Sequence, residues 1–419
     1  MYLEKFFKAP YTLQRFAEGP LAPQLDGFCG WLDHQGFSKY TVRIHIPRIY
    51  HFSCYLATVG VEEAQQLKND HIQCFLTDHI PQCHCPGVRS FQGHRVAFSI
   101  HRFLEYLKEL EIIGDLSSQR LPYETLLNEY LKWLEDYHHL APGTIELRRG
   151  YLVRFFQLLP NNRFPECLKS ITPLQIQDLF LDYAKSQGLA ARRSMQGTLR
   201  TFFRFCFIKG YTLQNRAPAV PTLRTYKLQT VPRTISDDMA ENILNTIDRK
   251  TDLGRRDFAI LMLLYTYGVR AAHVRALTFE DINWRKSELR FQALKHGKDS
   301  VVPLTTEVGE SLLDYIRLTR PKFPYPQVFL TAKAPYQPLR SSRVLRQIIA
   351  KYMRPLNKDA PSYGAHLFRH CFASRLINHQ QSIKAIADLM GHRFIQTTFI
   401  YTKVDFHNLN QVPLEWPEE

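Results

Sequence analysis

One residue pattern occurs twice in the first half of this chain of 419 residues. In the stretch 21–60, Phe28, Trp31, Leu32, Thr41, Ile49 and Phe52 fall at the offsets of two helices parted by a turn. Further on, Trp133-Leu134 repeats Trp31-Leu32, Thr144 repeats Thr41 and Phe155 repeats Phe52, each displaced by 102 or 103 positions. The correspondence continues from IQCFL at 72–76 to IQDLF at 176–180, and from Phe103-Tyr106 to Phe202-Phe205. A unit of four or five helices that returns with its aromatic residues in order points to internal duplication. The front half is therefore predicted to be helical, with one domain over 1–120 and a second over 121–215.

The grammar changes after that. Residues 216–235 hold three prolines and no apolar period, which predicts an extended linker. Ser236-Asp237-Asp238 then caps a helix, and GRRDFAILMLLYTYGVR supplies a buried one from about Arg256 to Tyr267. Two alternating runs, ELRFQAL and SVVPL, read as strands joined by a turn at Lys295-His296-Gly297-Lys298. The predicted class is mainly α with a small β-sheet: helical domains first, then a mixed α+β domain over 236–419.

Charge narrows the partners. Lys and Arg exceed Asp and Glu by 54 to 39, a formal charge of +15, so a polyanion, nucleic acid first, is the expected partner. No apolar run approaches the ~20 residues of a membrane helix, and the start of the chain is too short and mixed for a secretory signal, which predicts a cytoplasmic protein without a membrane partner. The eight cysteines are scattered, mostly through apolar segments, as in reduced cores. Cys83-His84-Cys85, with His79 and His94 nearby, invites comparison with zinc sites, but CxC lacks the paired CxxC spacing. The expectation is no metal and no cofactor. Neither an acidic metal cluster nor a GxxxxGK[ST] phosphate loop occurs in the C-terminal region.

Arginines mark where a polyanion would lie. Arg148 and Arg149 share one predicted helix, and Arg192, Arg193 and Arg200 a later one interleaved with phenylalanines, as in a helix packed on one side and facing phosphates on the other. Arg343 belongs to a third group, with Arg340 and Arg346. The first helical copy lacks this density, and both DNA and protein partners stay open for it.

The chemistry concentrates between His366 and Tyr401. His366 and Arg369 are three apart, which on a helix puts both on one face, within reach of one phosphate. Phe372, Leu376 and Ile377 continue that helix. A second begins near Ser382 and stops at Gly391. His392 follows where the chain turns, and Thr397-Thr398 offers an N-cap to a last short helix carrying Tyr401.

The order HLFRH, then LMGH, then a tyrosine nine residues on in IYTKVD resembles the signature of the tyrosine recombinases, the phage integrase family. The resemblance implies a core-binding domain in the second helical copy and a catalytic domain after the linker. It assigns the first catalytic arginine to Arg270, which follows Gly268-Val269, and the hairpin lysine to Lys295, with Lys298 as its competitor. Arg270, Lys295, His366, Arg369, His392 and Tyr401 then form the implied site. One departure stands out: the family usually carries an acid three residues after the first arginine, and here that residue is His273.

The implied function is site-specific recombination of double-stranded DNA through a 3′-phosphotyrosyl intermediate, in integration, excision or transposition of a mobile element. A homo-tetramer on paired sites is the implied assembly, with an accessory DNA-binding protein or a second recombinase as further candidate partners. The apolar tail residues Leu409, Val412, Leu414 and Trp416 are expected to pack on a neighbouring subunit. Type IB topoisomerase activity and a catalytically inactive DNA-binding protein are the alternatives.

Overall fold

The computed structural model describes residues 1–83, 85, 93–114, 122–159, 164–224, 234–293, 299–357, 360, 363–391 and 394–404. They form two compact units. One comprises Met1–Val59, Ser99–Tyr106 and Lys227–Glu419, the other Gly60–Phe98 and Leu107–Tyr226. Among the described residues no helix is long and apolar enough to cross a membrane.

The second unit is helical, with its principal helices at Glu124–His138, Pro142–Gln157, Pro173–Lys185 and Leu189–Ile208. Local chemistry sets their ends. Thr172 accepts the N–H of Gln175 at 3.2 Å while the Gln175 side chain accepts that of Thr172 at 2.9 Å, and Pro173 opens the first turn, where it sacrifices no hydrogen bond. Their inward stripes bury Tyr130, Phe155, Phe156, Phe202, Phe203 and Phe205 in one core. At ~2–3 kcal/mol per fully buried large side chain, this cluster is a main source of the unit's stability.

The first unit carries the corresponding early helices, Ala22–His34 and Lys39–Thr58. Phe28 meets Phe103 edge-on at 5.1 Å between ring centroids, and Trp31 lies 6.1 Å from Tyr106. In the second unit Tyr130 meets Phe202 edge-on at 5.4 Å, and Trp133 lies 5.4 Å from Phe205.

The C-terminal part of the first unit is built on the helix Asp252–Tyr267, whose Ala259, Ile260, Leu261, Leu263 and Leu264 are buried. Thr251 caps it by accepting the N–H of Gly254 at 3.0 Å. Gly268 ends it at φ +57, where a side chain would strike the Phe372 ring. The helix starts four residues before the Arg256 expected from its sequence, because its first turn follows from the cap and not from apolar periodicity.

Three antiparallel strands, Ile282–Asn283, Glu288–Phe291 and Ser300–Pro303, pair in sequence order, with Leu289 opposite Val302. The first strand is an addition to the two predicted, since two residues are too few to show alternation. The helix His366–Asn378 packs on Asp252–Tyr267 and Asp237–Asn245. Arg375 fastens it there, donating to Asp237 at 3.2 Å and to the Tyr265 carbonyl at 2.9 Å.

Ser382 caps Ile383–Leu389 through the N–H of Ala385, as the sequence predicts. The last helix differs from expectation: a 3-10 helix runs from Ile395 to Val404, so Thr397 and Thr398 lie inside it. Thr398 is fully buried, which turns its side chain inward instead of onto a helix end.

The candidate active site

Arg270 begins where the central helix stops. The left-handed turn at Gly268 reverses the chain, and Arg270 becomes the N-cap residue of the short helix Ala271–Ala276. Its guanidinium donates to the Gly391 carbonyl at 3.4 Å.

Arg369 lies a turn inside the helix His366–Asn378 and is only 5% exposed. It donates to the Gly268 carbonyl at 2.8 Å and to the Met390 carbonyl. One guanidinium thus ties the turn before Arg270 to the end of the helix Ile383–Leu389. Burial and the neighbouring Arg270 lower its pKa to about 10, so it stays charged at neutral pH. Two of its five N–H donors are spent on these carbonyls, leaving three for an incoming anion.

Tyr401 reaches the same place from the 3-10 helix. It is 2% exposed and packs with Phe372, Ala373, Ile377, Ile386 and Met390. Burial raises the pKa of its phenol, and Arg369 and Arg270 oppose that rise. Its hydroxyl lies 2.9 Å from Nδ1 of His370. His370 falls outside the HxxR spacing, and sequence reading missed it. The signal available was its place four residues after His366, hence on the same face of the helix.

His366 is exposed and lines an open cleft of about 530 Å³ together with Arg270, Arg275, Ser341, Arg343 and Arg346. Partial desolvation, Arg369 and Arg270 lower its pKa, favouring the neutral, proton-accepting imidazole. The cleft also receives the start of the helix Ser342–Met353, whose positive dipole end adds to the four arginines of its wall.

The remaining predicted residues divide. Arg343 is exposed on the cleft. In the other unit Arg149 and Arg193 are exposed, and Arg148 sits beside the buried Tyr130 hydroxyl. Arg192 and Arg200 are partly turned inward: Arg192 donates to the Gln187 carbonyl at 2.7 Å, and Arg200 to the Val220 carbonyl at 3.0 Å and the Thr222 hydroxyl at 2.6 Å. Helical periodicity gave these two an outward face, whereas Arg192 reaches back to the turn before its own helix and the returning segment at 220–222 supplies acceptors to Arg200 that no local pattern reveals. Lys295, its competitor Lys298, and His392 lie outside the described residues, as do the tail residues from Leu409 to Trp416.

His273 takes the place of the acid expected beside Arg270. Burial first, then Arg270 and Arg369, lower its pKa to about 4, and its Nδ1 is buried without a hydrogen-bond partner among the described residues. A neutral ring therefore stands where a carboxylate would add negative charge.

Acid should expose a cost of these histidines. Burial lowers His45, His273 and His370 to about 4, against ~6.5 in an unfolded chain. Between those values the unfolded state binds more protons, so stability is intact above pH ~6.5 and falls as pH drops toward ~4. For His45, which is 2% exposed, the full loss is on the order of 3 kcal/mol. Thermal melts from pH 7.5 down to 4.5 should show a falling Tm, with a shallower fall in His45→Gln. An unchanged slope in that variant would refute the assignment.

Comparison with known proteins places the chain in a family. The profile of the phage integrase family matches residues 233–408. The protein is 30% identical over 421 residues to y4rA of Sinorhizobium fredii, an integrase/recombinase by its name, covering 100% of both chains. It is 30% identical over 279 residues to tyrosine recombinase XerD of Ralstonia nicotianae, covering 65% of this chain and 86% of that one. Two solved structures share its fold. A XerH site-specific recombinase aligns with a TM-score of 0.54 at 18% identity, covering 81% of this chain and 93% of that one. Lambda integrase aligns at 0.52 and 18%, covering 70% and 98%. With the sequence match running from end to end, the chain belongs to the phage integrase family, the tyrosine recombinases.

Proposed function

We propose that this protein cuts and rejoins double-stranded DNA at specific sites through a covalent 3′-phosphotyrosyl link at Tyr401, in the integration, excision or transposition of a mobile element. The observation that carries the reading is one electrostatic cluster. Arg270 and Arg369 act together on Tyr401 and on His366, and Arg270 and His366 line the basic cleft. Solved relatives of this fold hold DNA, XerH a palindromic difH substrate and lambda integrase a COC′ core site.

In the proposed reaction Tyr401 Oη bonds to phosphorus as the bond from phosphorus to the 5′ oxygen breaks. The guanidinium groups of Arg270 and Arg369 meet the charge gathering on the non-bridging oxygens, where fixed donors gain more than in water. The phenol must lose a proton, and His366, neutral and facing the cleft, accepts it. The departing 5′ oxygen takes its proton from Lys295, and His392 binds the phosphate. The energy of the broken bond stays in the phosphotyrosyl link, so rejoining needs no nucleotide.

His370 positions the nucleophile. Burial, His366 and Arg369 lower its pKa to about 4, so at neutral pH the ring is uncharged. With its proton on Nδ1, the ring donates to the Tyr401 hydroxyl oxygen and leaves the phenol's own proton free for His366. Removing the base should cost more than removing the positioner: His366→Ala should slow cleavage about 100-fold or more, His370→Ala roughly tenfold, with DNA affinity unchanged in both. Single-turnover cleavage as a function of pH measures this. Equal or larger loss in His370→Ala would transfer the base role to His370.

Arg343 contacts backbone phosphates along the cleft, and Arg148, Arg149 and Arg193 do so from the other unit. Arg192 and Arg200 contribute with the donors left to them. The matched aromatic contacts, Phe28 to Phe103 and Tyr130 to Phe202, support an origin of the two helical stretches by duplication. The proposed domains are 1–120, 121–215 and 236–419, joined at 216–235. The working assembly is a homo-tetramer on paired sites, located in the cytoplasm, where an accessory protein or second recombinase would join it.

The reading is tested with plasmids carrying paired copies of the DNA that flanks the coding region. Strand exchange between the two sites is the predicted result. Relaxation of supercoils without exchange would overturn it.

A further inference from the structure

A helix that changes pitch twice brings three metal-binding side chains to one point, far in sequence from the catalytic residues. The helix Asn69–Cys74 widens into a π-helical turn, Phe75–His79, and then tightens into a 3-10 turn, Ile80–Gln82. Pro81 lacks the N–H that would continue a helix, and the N–H of Cys83 closes the turn on the Ile80 carbonyl at 3.5 Å. The His79 ring stacks on the buried Phe75, centroids 5.2 Å apart at 19°, which holds its orientation.

His79, Cys83 and Cys85 thereby converge. Cys85 Sγ lies 3.7 Å from His79 Nε2, and the backbone N–H of Cys85 points at Cys83 Sγ over 3.4 Å. One ligand atom from each of the three lies within 4.8 Å of the others. Zinc bonds of ~2.3 Å to sulfur and ~2.0–2.1 Å to nitrogen, set at tetrahedral angles, call for S···N edges of about 3.6 Å and S···S edges of about 3.8 Å. The S···N edge already has that length, and the others need to close by no more than about 1 Å.

We propose that His79, Cys83 and Cys85 hold a zinc ion. Two thiolates and an imidazole are soft donors that select zinc over magnesium or calcium. The Cys85 N–H aimed at Cys83 Sγ stabilises the thiolate that metal binding requires. Three ligands within the span 79–85 leave one corner of the tetrahedron to water or another donor. The ion fastens a turn whose two changes of pitch interrupt the regular hydrogen-bond ladder, a structural task separate from DNA cleavage. The CxC spacing hid this site in the sequence, because the third ligand joins through the π-helical turn and not through a second CxxC pair.

The test uses the full, reduced protein. After gel filtration it should retain about one zinc ion per chain by elemental analysis, and Cys83→Ser/Cys85→Ser should retain none. Alkylation mapped by peptide mass spectrometry keeps the test decisive if that variant fails to fold. In the wild type, Cys83 and Cys85 should react roughly tenfold or more slowly with zinc than after chelation, while the exposed Cys74 reacts equally in both. Equal reactivity of Cys83 and Cys85 with and without zinc, or zinc retained by a folded double variant, would overturn the proposal.

Discussion

Tyr401→Phe is expected to abolish covalent protein–DNA complex while leaving folding and DNA affinity almost unchanged. The substitution removes one oxygen from a ring whose carbon skeleton makes the packing contacts with Phe372, Ile386 and Met390. The lost hydrogen bond to His370 costs about 1 kcal/mol at most, because His370 is only partly buried and water can replace the partner. Affinity comes chiefly from cations on backbone phosphates, to which this hydroxyl adds nothing. Gel-shift titration and denaturing gels of the same samples measure both quantities. Tyr363→Phe is the control: Tyr363 lies beside Arg354 with its ring 5.2 Å from that guanidinium, outside the cluster that acts on Tyr401. Covalent product surviving in Tyr401→Phe would reassign the nucleophile.

Arg369→Ala should lower the cleavage rate by about 10²–10³ and also destabilise the protein, an effect Arg270→Ala should show far less. The difference follows from position. Arg369 is buried and donates to the Gly268 and Met390 carbonyls, so its removal leaves two carbonyls short of a donor at about 1–3 kcal/mol for each that stays buried. Arg270 is partly exposed, and its one hydrogen-bond partner among the described residues, the Gly391 carbonyl, is 3.4 Å away. Some slow cleavage should remain in Arg369→Ala, since Tyr401 and His366 are intact. Arg369→Lys should recover part of the stability and little of the rate, because an ammonium cannot span two carbonyls and a phosphate with the geometry of a planar fork. Chemical denaturation paired with single-turnover rates separates the two effects. A variant with full stability and a lost rate would remove the clamp from the account.

What the sequence revealed depended on how local each feature is. Ser236, Ser382 and Gly391 are caps and stops whose chemistry acts within a turn, and all three are found where the pattern puts them. The strands at Glu288–Phe291 and Ser300–Pro303 show the alternation of half-buried pairs, whereas Ile282–Asn283 joins the sheet with too few residues to announce itself. The site is legible to the extent that it is helical: His366 and Arg369 share a face because of their spacing. The contact between His370 and Tyr401 arises only when the last 3-10 helix folds back, a tertiary event with no local trace. The acceptors of Arg200 at Val220 and Thr222 are hidden for the same reason, arriving from beyond the end of its own helix.

His273 shows a substitution whose consequence lies in charge and not in shape. The usual acid would sit against two guanidinium groups and offset them, but the neutral imidazole leaves Arg270 and Arg369 to repel each other, part of why Arg369 falls to about 10. No carboxylate at position 273 offsets the positive charge of the two guanidinium groups.

The central claim is that Tyr401 forms a phosphodiester link to the 3′ end of the cut strand. A duplex of the flanking DNA, nicked near the cleavage point so that the short 5′-hydroxyl fragment escapes, would trap the intermediate. Protease digestion and mass spectrometry of the adduct then identify both the attached residue and the attached end. The expected product is a 3′-phosphoryl group on Tyr401. Attachment through the 5′ end, or to any residue other than Tyr401, would contradict it.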